Sequence, residues 1–150
     1  MPTRKEYIFV LWGSRFEEAA AALFVTGLRQ AGLLVKVVGL TPPPIRGANG
    51  LALYPDMMLG EALLLAAQAG GVIIPAGVEY IKPFQNDPRL KYFLYRASAN
   101  QARLVVRGGN GADEAALELF PAIDNLVMYT AQEDLGAFTA RLSGMLQGGF

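Results

Sequence analysis

The chain has 150 residues, which suits one domain with a substantial core and is short for two. Its thirteen basic and thirteen acidic residues cancel to a formal net charge of zero, so no overall field favours nucleic acid as a partner. With no cysteine and no histidine, disulfides, thiolate metal sites and cysteine nucleophiles are excluded, and the usual general base near neutral pH is missing.

The composition is apolar for a soluble protein, with 53% hydrophobic and 17% charged residues. We therefore expect a sheet buried on both faces and apolar surface covered by a second subunit, in a homodimer or larger homo-oligomer. No apolar run reaches the roughly 18 residues that a membrane helix needs, so no membrane association is expected. The basic start lacks a small-residue cleavage site, which predicts no signal peptide and a cytoplasmic protein.

The first elements predict a βαβ unit. Tyr7–Trp12 is a continuous apolar run, as in a central parallel strand. From Phe16 the apolar residues follow helical spacing until Gly32, and Leu34–Leu40 forms the next strand. Because such crossovers are right-handed, the two strands should be parallel.

The middle of the chain begins with the turn-rich segment 41–50, which holds three prolines. Leu51–Tyr54 is a short extended piece, and the Ala- and Leu-rich Leu59–Ala69 predicts a helix. Gly71–Pro75 then predicts a third buried strand.

Asp87–Pro88 is typical of a helix cap followed by proline at the first helical position. A strand at Leu104–Val106, a helix from about Asp113, a strand near Leu126–Tyr129 and a helix from about Gln132 close the chain. The large apolar residues of that last helix share one stripe, which predicts a core or subunit contact: Leu135, Phe138, Leu142, Met145 and Leu146. The element order predicts one α/β domain over residues 1–150, a three-layer α/β/α sandwich around a doubly wound, mainly parallel sheet.

Five segments carry a further pattern in their order along the chain. They are WGSRFEEAAAALFVTGLRQAGLLVKVVGL (12–40), GANGLALYPDMMLGEA (47–62), GVIIPAG (71–77), NDPRL (86–90) and NLVMYTAQEDLGAFTARLSGMLQG (125–148). Together they resemble the ThiJ/PfpI family, whose flavodoxin-like fold is related to class I glutamine amidotransferase domains. The resemblance covers most of the chain, and it is the shared order of the segments that makes it specific.

The resemblance implies a cysteine on an elbow, a glutamate from the first helix and often a downstream histidine. Matching the family's F-E-[ED]-x-E pattern puts Ala20 at the glutamate position. The nucleophile position falls on Gly108, or on Arg107 if the register slips by one, and the segment for the histidine is reduced to Phe120–Asn125. The chain therefore resembles a degenerate relative, a pseudoenzyme without the glyoxalase, deglycase, protease or amidase activities that the family name implies.

The Gly-rich turn that follows the strand at 104–106 is the candidate ligand site. Consecutive backbone N–H groups at a helix start bind carboxylate or phosphate, and open α/β sheets bind ligands at the carboxyl ends of their strands. The alternative is a glycine turn kept for steric reasons. Arg107 is an anion clamp or an intersubunit ion pair. The candidate residues for a small anionic ligand are Arg15, Glu17, Arg107, Gly108, Gly109, Asn110 and Gly111.

Other polar and aromatic residues near the predicted strand ends have simpler interpretations. Glu17 and Glu18 lie about 100° apart on a helix, so they cannot share a face as an acid/base pair, and capping and dipole interactions account for both. Ser14 is interpreted as a turn residue. Trp12 and Tyr80 are predicted to pack in the core or an interface rather than line a pocket.

The carboxylates are dispersed and give no metal-ligand spacing, so neither a metal nor another cofactor is expected. The leading hypothesis is a non-catalytic protein that binds a small molecule or anion, or is structural and self-associating. One alternative is an enzyme of altered chemistry, hydrolase or glyoxalase-like, at the same crevice. A second is a regulatory partner-binding module.

Overall fold

A parallel sheet of six strands forms the centre of the protein in the computed structural model, which describes residues 6–108 and 125–147. With the two strands of a separate hairpin, the chain runs through β1 (Tyr7–Trp12), β2 (Leu34–Gly39), β3 (Ile45–Arg46), β4 (Ala52–Leu53), β5 (Met57–Met58), β6 (Ala69–Gly77), β7 (Arg103–Arg107) and β8 (Leu126–Tyr129). The sheet order is β5-β2-β1-β6-β7-β8 with every neighbouring pair parallel, whereas β3 and β4 pair antiparallel. The predicted doubly wound, mainly parallel sheet is confirmed.

Helices cover both faces of this sheet. They are α1 (Glu18–Gln30), α2 (Leu59–Ala62), α3 (Pro88–Ala99) and α4 (Leu135–Gln147), with short 3-10 helices at Leu63–Gln68, Val78–Tyr80 and Lys82–Phe84. Successive residues of a strand point to opposite faces, so β1 contributes to two apolar clusters. Val10 packs in one cluster with Phe24 of α1 and Phe138 of α4, whereas its neighbour Phe9 packs in the other with Phe93 of α3. These two layers of helices complete the predicted three-layer sandwich.

The predicted strands agree with the structure more closely than the predicted helices do. Tyr7–Trp12 and Leu126–Tyr129 have the bounds that the sequence predicts. The helix predicted for Leu59–Ala69 is wrong in its second part, which is a 3-10 helix, and Ala69 already belongs to β6. Pairing between Ala69 and the first residue of β1 holds that position extended. The helix expected from Asp113 lies outside the described residues.

Two helix starts show how local capping sets the boundaries. The predicted cap at Asp87 is confirmed, because its carboxylate accepts a hydrogen bond from the backbone N–H of Arg89 at 2.9 Å. The last helix begins at Leu135 rather than at Gln132. Asp134 Oδ1 accepts a backbone N–H of the first turn at 3.1 Å, so capping moves the start of the helix past the predicted residue.

Core packing accounts for the stripe on α4 and for the tryptophan. Phe138 and Leu142 are buried in the cluster beneath α1, as the stripe predicts. Trp12 is fully buried, and its indole Nε1 donates to the carbonyl of Ile45 at 3.1 Å, which satisfies its polar atom. None of the helices within 6–108 and 125–147 combines the length and apolarity required to cross a membrane.

Candidate functional site

The carboxyl ends of β6, β7 and β8 meet at one edge of the sheet, beside the start of α1. Arg107 is the last residue of β7 and is in register with Gly77 of β6 and Tyr129 of β8. Glu17 immediately precedes α1, and its backbone N–H donates to the carbonyl of Pro75 at 2.8 Å. The strand pairing and this hydrogen bond bring four distant parts of the chain to one place, where open α/β sheets bind ligands.

Four side chains at this edge form the Arg107 cluster, which consists of Glu17, Glu79, Arg107 and Tyr129. Arg107 Nη1 donates to Glu17 Oε2 in an ion pair, and Arg107 Nη2 donates to Glu79 Oε1 at 3.4 Å. The Tyr129 hydroxyl donates to the other oxygen of Glu17 at 3.0 Å. Both oxygens of Glu17 are therefore engaged, and all partners belong to the same chain.

Burial and charge decide the protonation of the phenol. Tyr129 is 1% exposed and its ring packs against Phe24 and Phe138. Burial raises the pKa of Tyr129 well above its usual value, the negative charge of Glu17 raises it further, and Arg107 acts in the opposite direction. The phenol is thus a neutral donor, and two carboxylates with one guanidinium leave the cluster a formal charge of −1.

Gly108, the first glycine of the predicted Gly-rich turn, forms a backbone hydrogen bond within the sheet. The Gly108 backbone N–H donates to the carbonyl of Tyr129 at 2.6 Å, in continuation of the ladder between β7 and β8. A Cβ at Gly108 would lie 3.5 Å from Met128, an ordinary contact, so sterics do not demand glycine there. Gly109, Asn110 and Gly111 lie outside the described residues. An anion cradle at this turn stays a prediction.

The positions of this chain that align with the family's nucleophile and glutamate lie in different surroundings. Gly108, or Arg107 if the register slips by one, lies at the end of β7 on the sheet edge, whereas Ala20 is 1% exposed in the apolar cluster that contains Phe24 and Phe138. From the start of the first helix, the carboxylate that reaches the edge is instead Glu17, one residue before α1. The position aligned with the family's glutamate is therefore part of the core in this chain.

The second carboxylate of the pair, Glu18, has a different set of partners. Its Oε2 accepts from the backbone N–H groups of Asn49 at 2.8 Å and Leu51 at 3.0 Å, and the side chain is buried. Burial by itself raises the pKa of Glu18, but the backbone N–H groups of Glu18, Leu51 and Asn49 together hold that pKa below its usual value. Glu18 thus ties the β3–β4 hairpin to the start of α1.

The side chains of Glu17 and Glu18 point to different partners, as the helical angle between them predicts. The interpretation of Glu17 as a capping residue is wrong. Glu17 occupies the N-cap position of α1, and its side chain makes no capping hydrogen bond. Its two oxygens accept instead from the guanidinium of Arg107 and the hydroxyl of Tyr129, so the carboxylate is turned away from the helix N–H groups.

The remaining sequence candidates lie apart from this cluster. Arg15 is exposed in the turn after β1 with φ of 71°, and its backbone N–H donates to Arg46. Within the described residues, no hydrogen bond or ion pair joins the Arg15 side chain to Glu17 or Arg107. Ser14 is in that turn, as predicted. Tyr80 is 37% exposed, so it does not pack in the core, and its packing in an interface stays a prediction.

Sequence reasoning missed two members of the cluster. Tyr129 ends an edge strand parallel to β7, so its position at the carboxyl end of a predicted strand was the available signal. Glu79 follows β6 by two residues, in a segment that the predicted elements left unassigned. Across 6–108 and 125–147, no set of three or more carboxylates is grouped in a way that could hold a metal ion.

Comparison with known proteins gives the fold a family context. No protein-family model matches the sequence, and no curated protein matches it significantly. Among solved structures, oxidised DJ-1 of Toxoplasma gondii is 16% identical, with 94% of this chain and 90% of that chain covered and a TM-score of 0.75. A ThiJ/PfpI domain protein of Brachyspira murdochii is 14% identical over 98% of this chain and 99% of that chain, with a TM-score of 0.70.

A two-domain protein of Anabaena variabilis, with DJ-1/ThiJ/PfpI-like and ferritin-like domains, is 21% identical with a TM-score of 0.73. The match covers 95% of this chain, which spans about half, 48%, of the Anabaena chain. These similarities show that the chain has the fold of DJ-1/ThiJ/PfpI superfamily proteins.

Proposed function

We propose that this chain, which has the fold of the DJ-1/ThiJ/PfpI superfamily, is a non-catalytic protein that acts by binding a small molecule and by self-association. The observation that carries the proposal is the Arg107 cluster. At the sheet edge where the resemblance places a reactive thiol, a guanidinium is held by Glu17 and Glu79 of the same chain.

The groups in the cluster are poorly suited to nucleophilic chemistry. A guanidinium stays protonated in proteins and has no lone pair to attack with. Gly108 has no side chain, and a chain with neither cysteine nor histidine has no thiolate–imidazole pair. Glu17 is the remaining acid/base candidate, and both of its oxygens already accept hydrogen bonds from Arg107 and Tyr129.

A turnover assay tests the absence of catalysis. Purified protein is incubated with methylglyoxal and with a panel of acyl and amide substrates, and product formation is compared with buffer and with the Arg107→Ala variant. We expect no rate above buffer in either sample. A wild-type rate that disappears in Glu17→Gln would refute the proposal.

A wild-type rate that disappears in Glu17→Gln would favour an enzyme of altered chemistry at the same crevice. One observation supports this alternative: a buried phenol donates a hydrogen bond to a carboxylate that a guanidinium holds in place, and a proton can pass between the phenol and the carboxylate. Loss of the rate in both Glu17→Gln and Tyr129→Phe would assign the chemistry to that chain of groups.

Self-association is supported by the apolar surface of the chain. Several large hydrophobic side chains are more than a third exposed: Leu23, Leu34, Leu51, Tyr54, Leu64, Tyr80, Tyr92 and Tyr95. Together with the 53% hydrophobic composition, they favour a homodimer or larger homo-oligomer. Light scattering at micromolar concentration is expected to give at least twice the mass of one chain, and a monomer would contradict this part of the proposal. The proposed compartment is the cytoplasm.

A regulatory role, in which the domain binds another protein through the same surface, is the third hypothesis. Affinity capture from the native host distinguishes it, since a partner in stoichiometric amount would favour regulation over self-association. Nucleic acid is not part of the proposal, given the zero net charge. A membrane is not part of it either, because no apolar run reaches the roughly 18 residues that a membrane helix needs.

A further inference from the structure

We propose that the ligand of the Arg107 cluster is a small carboxylate, and that it binds by displacing Glu79 from Arg107. The inference rests on the proposed function, in that it names the class of ligand that the cluster would bind. Glu79 then acts as a built-in competitor that occupies the guanidinium until the ligand arrives.

The two carboxylates around Arg107 are held very differently. Glu17 accepts from Tyr129 as well as from Arg107, is 28% exposed, and is fixed to the end of β6 through its own backbone N–H. Glu79 is 62% exposed and reaches Arg107 by one long contact of 3.4 Å. Exposed ion pairs of this kind contribute little to stability, so Glu79 is the carboxylate that can be exchanged.

Glu79 also occupies the space that a ligand would need. A Cβ placed on Gly77 would lie 2.7 Å from both carboxylate oxygens of Glu79, so this carboxylate lies directly over the backbone of Gly77. When Glu79 swings into solvent, the side of Gly77 next to Arg107 is uncovered. A glycine there leaves room for a small molecule to approach the guanidinium over the strand.

Charge selects a carboxylate over a phosphate. Exchange of Glu79 for a monocarboxylate leaves one negative group on each side of Arg107, as in the unliganded protein. A phosphate dianion would add a second negative charge next to Glu17, which is repulsive in a partly buried site. The planar fork of an arginine matches carboxylates and phosphates alike, so charge is the property that separates the two ligands.

The test is a titration with sodium acetate at constant ionic strength, followed by NMR chemical shifts of residues around Arg107, with sodium phosphate as the second ligand. Wild type is compared with Glu79→Gln and Glu79→Asp, and Arg107→Gln serves as the variant without the guanidinium. Glu79→Asp is the matched control: it keeps the charge and shortens the side chain by one methylene, so a contact already at 3.4 Å is lost.

We expect both Glu79 variants to bind acetate about two- to fivefold more tightly than wild type, and Arg107→Gln to bind none. Phosphate should bind more weakly than acetate in every sample. Because Glu79 is largely exposed, its variants will fold even if Arg107→Gln does not, and the test remains decisive.

Three results would overturn the inference. They are equal acetate affinity in wild type and Glu79→Gln, tightening in Glu79→Gln but not in Glu79→Asp, and preferential binding of phosphate. The second result would assign the effect to long-range charge instead of displacement. The turnover assay tests the proposed function separately. Catalysis would contradict the proposed function, whereas a failure of acetate to bind would contradict only the inference about the ligand.

Discussion

Arg107 and Glu17 form an ion pair across ninety residues of sequence, at the edge of the sheet where β7 ends and α1 begins. Their side chains are 25% and 28% exposed, so water screens the pair less than it screens a surface salt bridge. The pair lies at the carboxyl edge of the sheet next to Tyr129, and the proposed function rests on it.

The Arg107–Glu17 pair should show measurable coupling in a double-mutant cycle. Arg107→Gln and Glu17→Gln each remove one charge of the pair, while Glu17 keeps its bond from Tyr129 and Arg107 keeps its contact with Glu79. We expect a coupling free energy of about 1 kcal/mol, because the pair is partly buried. Urea unfolding of the wild type, both single variants and the double variant measures it. Additive losses, with no coupling, would mean that the pair does not contribute to stability.

Tyr129→Phe should change how stability depends on alkaline pH. The pKa of Tyr129 is raised in the folded protein above its usual value of 10.0, so its stabilising contribution is present below pH 10 and is lost as the pH rises beyond it. At pH 8 the variant loses one hydrogen bond to Glu17 and should be about 1 kcal/mol less stable than wild type.

Above pH 10 the wild type should lose stability faster than the variant, by up to about 1.4 kcal/mol per pH unit, because unfolding then releases the phenolic proton. The difference between the two proteins should therefore shrink and vanish near pH 11. Urea unfolding at pH 8, 10 and 11 measures it, and parallel curves for the two proteins would show that Tyr129 does not titrate on unfolding.

Glu18→Gln should remove part of the acid sensitivity of the protein. The pKa of Glu18 is lowered from 4.5 in the folded protein, so its contribution is present above pH 4.5 and is lost as the pH falls below that value. At pH 7 one amide oxygen of glutamine can still accept both backbone N–H groups, but the negative charge is lost and the NH2 group replaces the oxygen that accepts from the Asn49 side chain. We expect a loss of about 1–3 kcal/mol. Between pH 4.5 and 3 the wild type should approach the variant in urea unfolding. An unchanged difference at pH 3 would contradict this role.

Gly47→Ala should destabilise the protein much more than Gly60→Ala. A Cβ at Gly47 would lie 2.4 Å from Glu18 Cγ and Cδ and 2.7 Å from the backbone oxygen of Phe16, so the hairpin must move. We expect a loss of about 1–3 kcal/mol. Gly60 in α2 has nothing within 4 Å of such a Cβ, and alanine there should be neutral or stabilise by up to about 1 kcal/mol. Equal thermal unfolding midpoints for the two variants would dismiss the tight contact between Gly47 and Glu18.

The strands were predictable because continuous apolar runs between turn residues leave few alternatives. Tyr7–Trp12 and Leu126–Tyr129 are such runs. The segment Leu59–Ala69 was less predictable, because its Ala- and Leu-rich composition favours helix while pairing with β1 draws its last residue into the sheet. Local preference is weak, and a sheet ladder overrides it where the two compete.

In the candidate site, the sequence predicted single residues and the structure decided their partners. Glu17 and Arg107 were both identified as site candidates, with an anion clamp or an intersubunit ion pair as the alternatives for the arginine. The structure pairs the two within one chain and adds Tyr129 and Glu79. Nothing in the local pattern around 77–80 indicates a carboxylate that reaches β7.

By itself, the sequence determined which chemistry is absent and which layers form. A chain without cysteine or histidine has no thiolate or imidazole in any fold, and apolar runs separated by amphipathic segments bury a sheet between helices. Helical geometry also required Glu17 and Glu18 to diverge. Only the tertiary structure decided that one meets Arg107 and the other meets the β3–β4 hairpin, because partners so distant along the chain are set by which strands lie side by side.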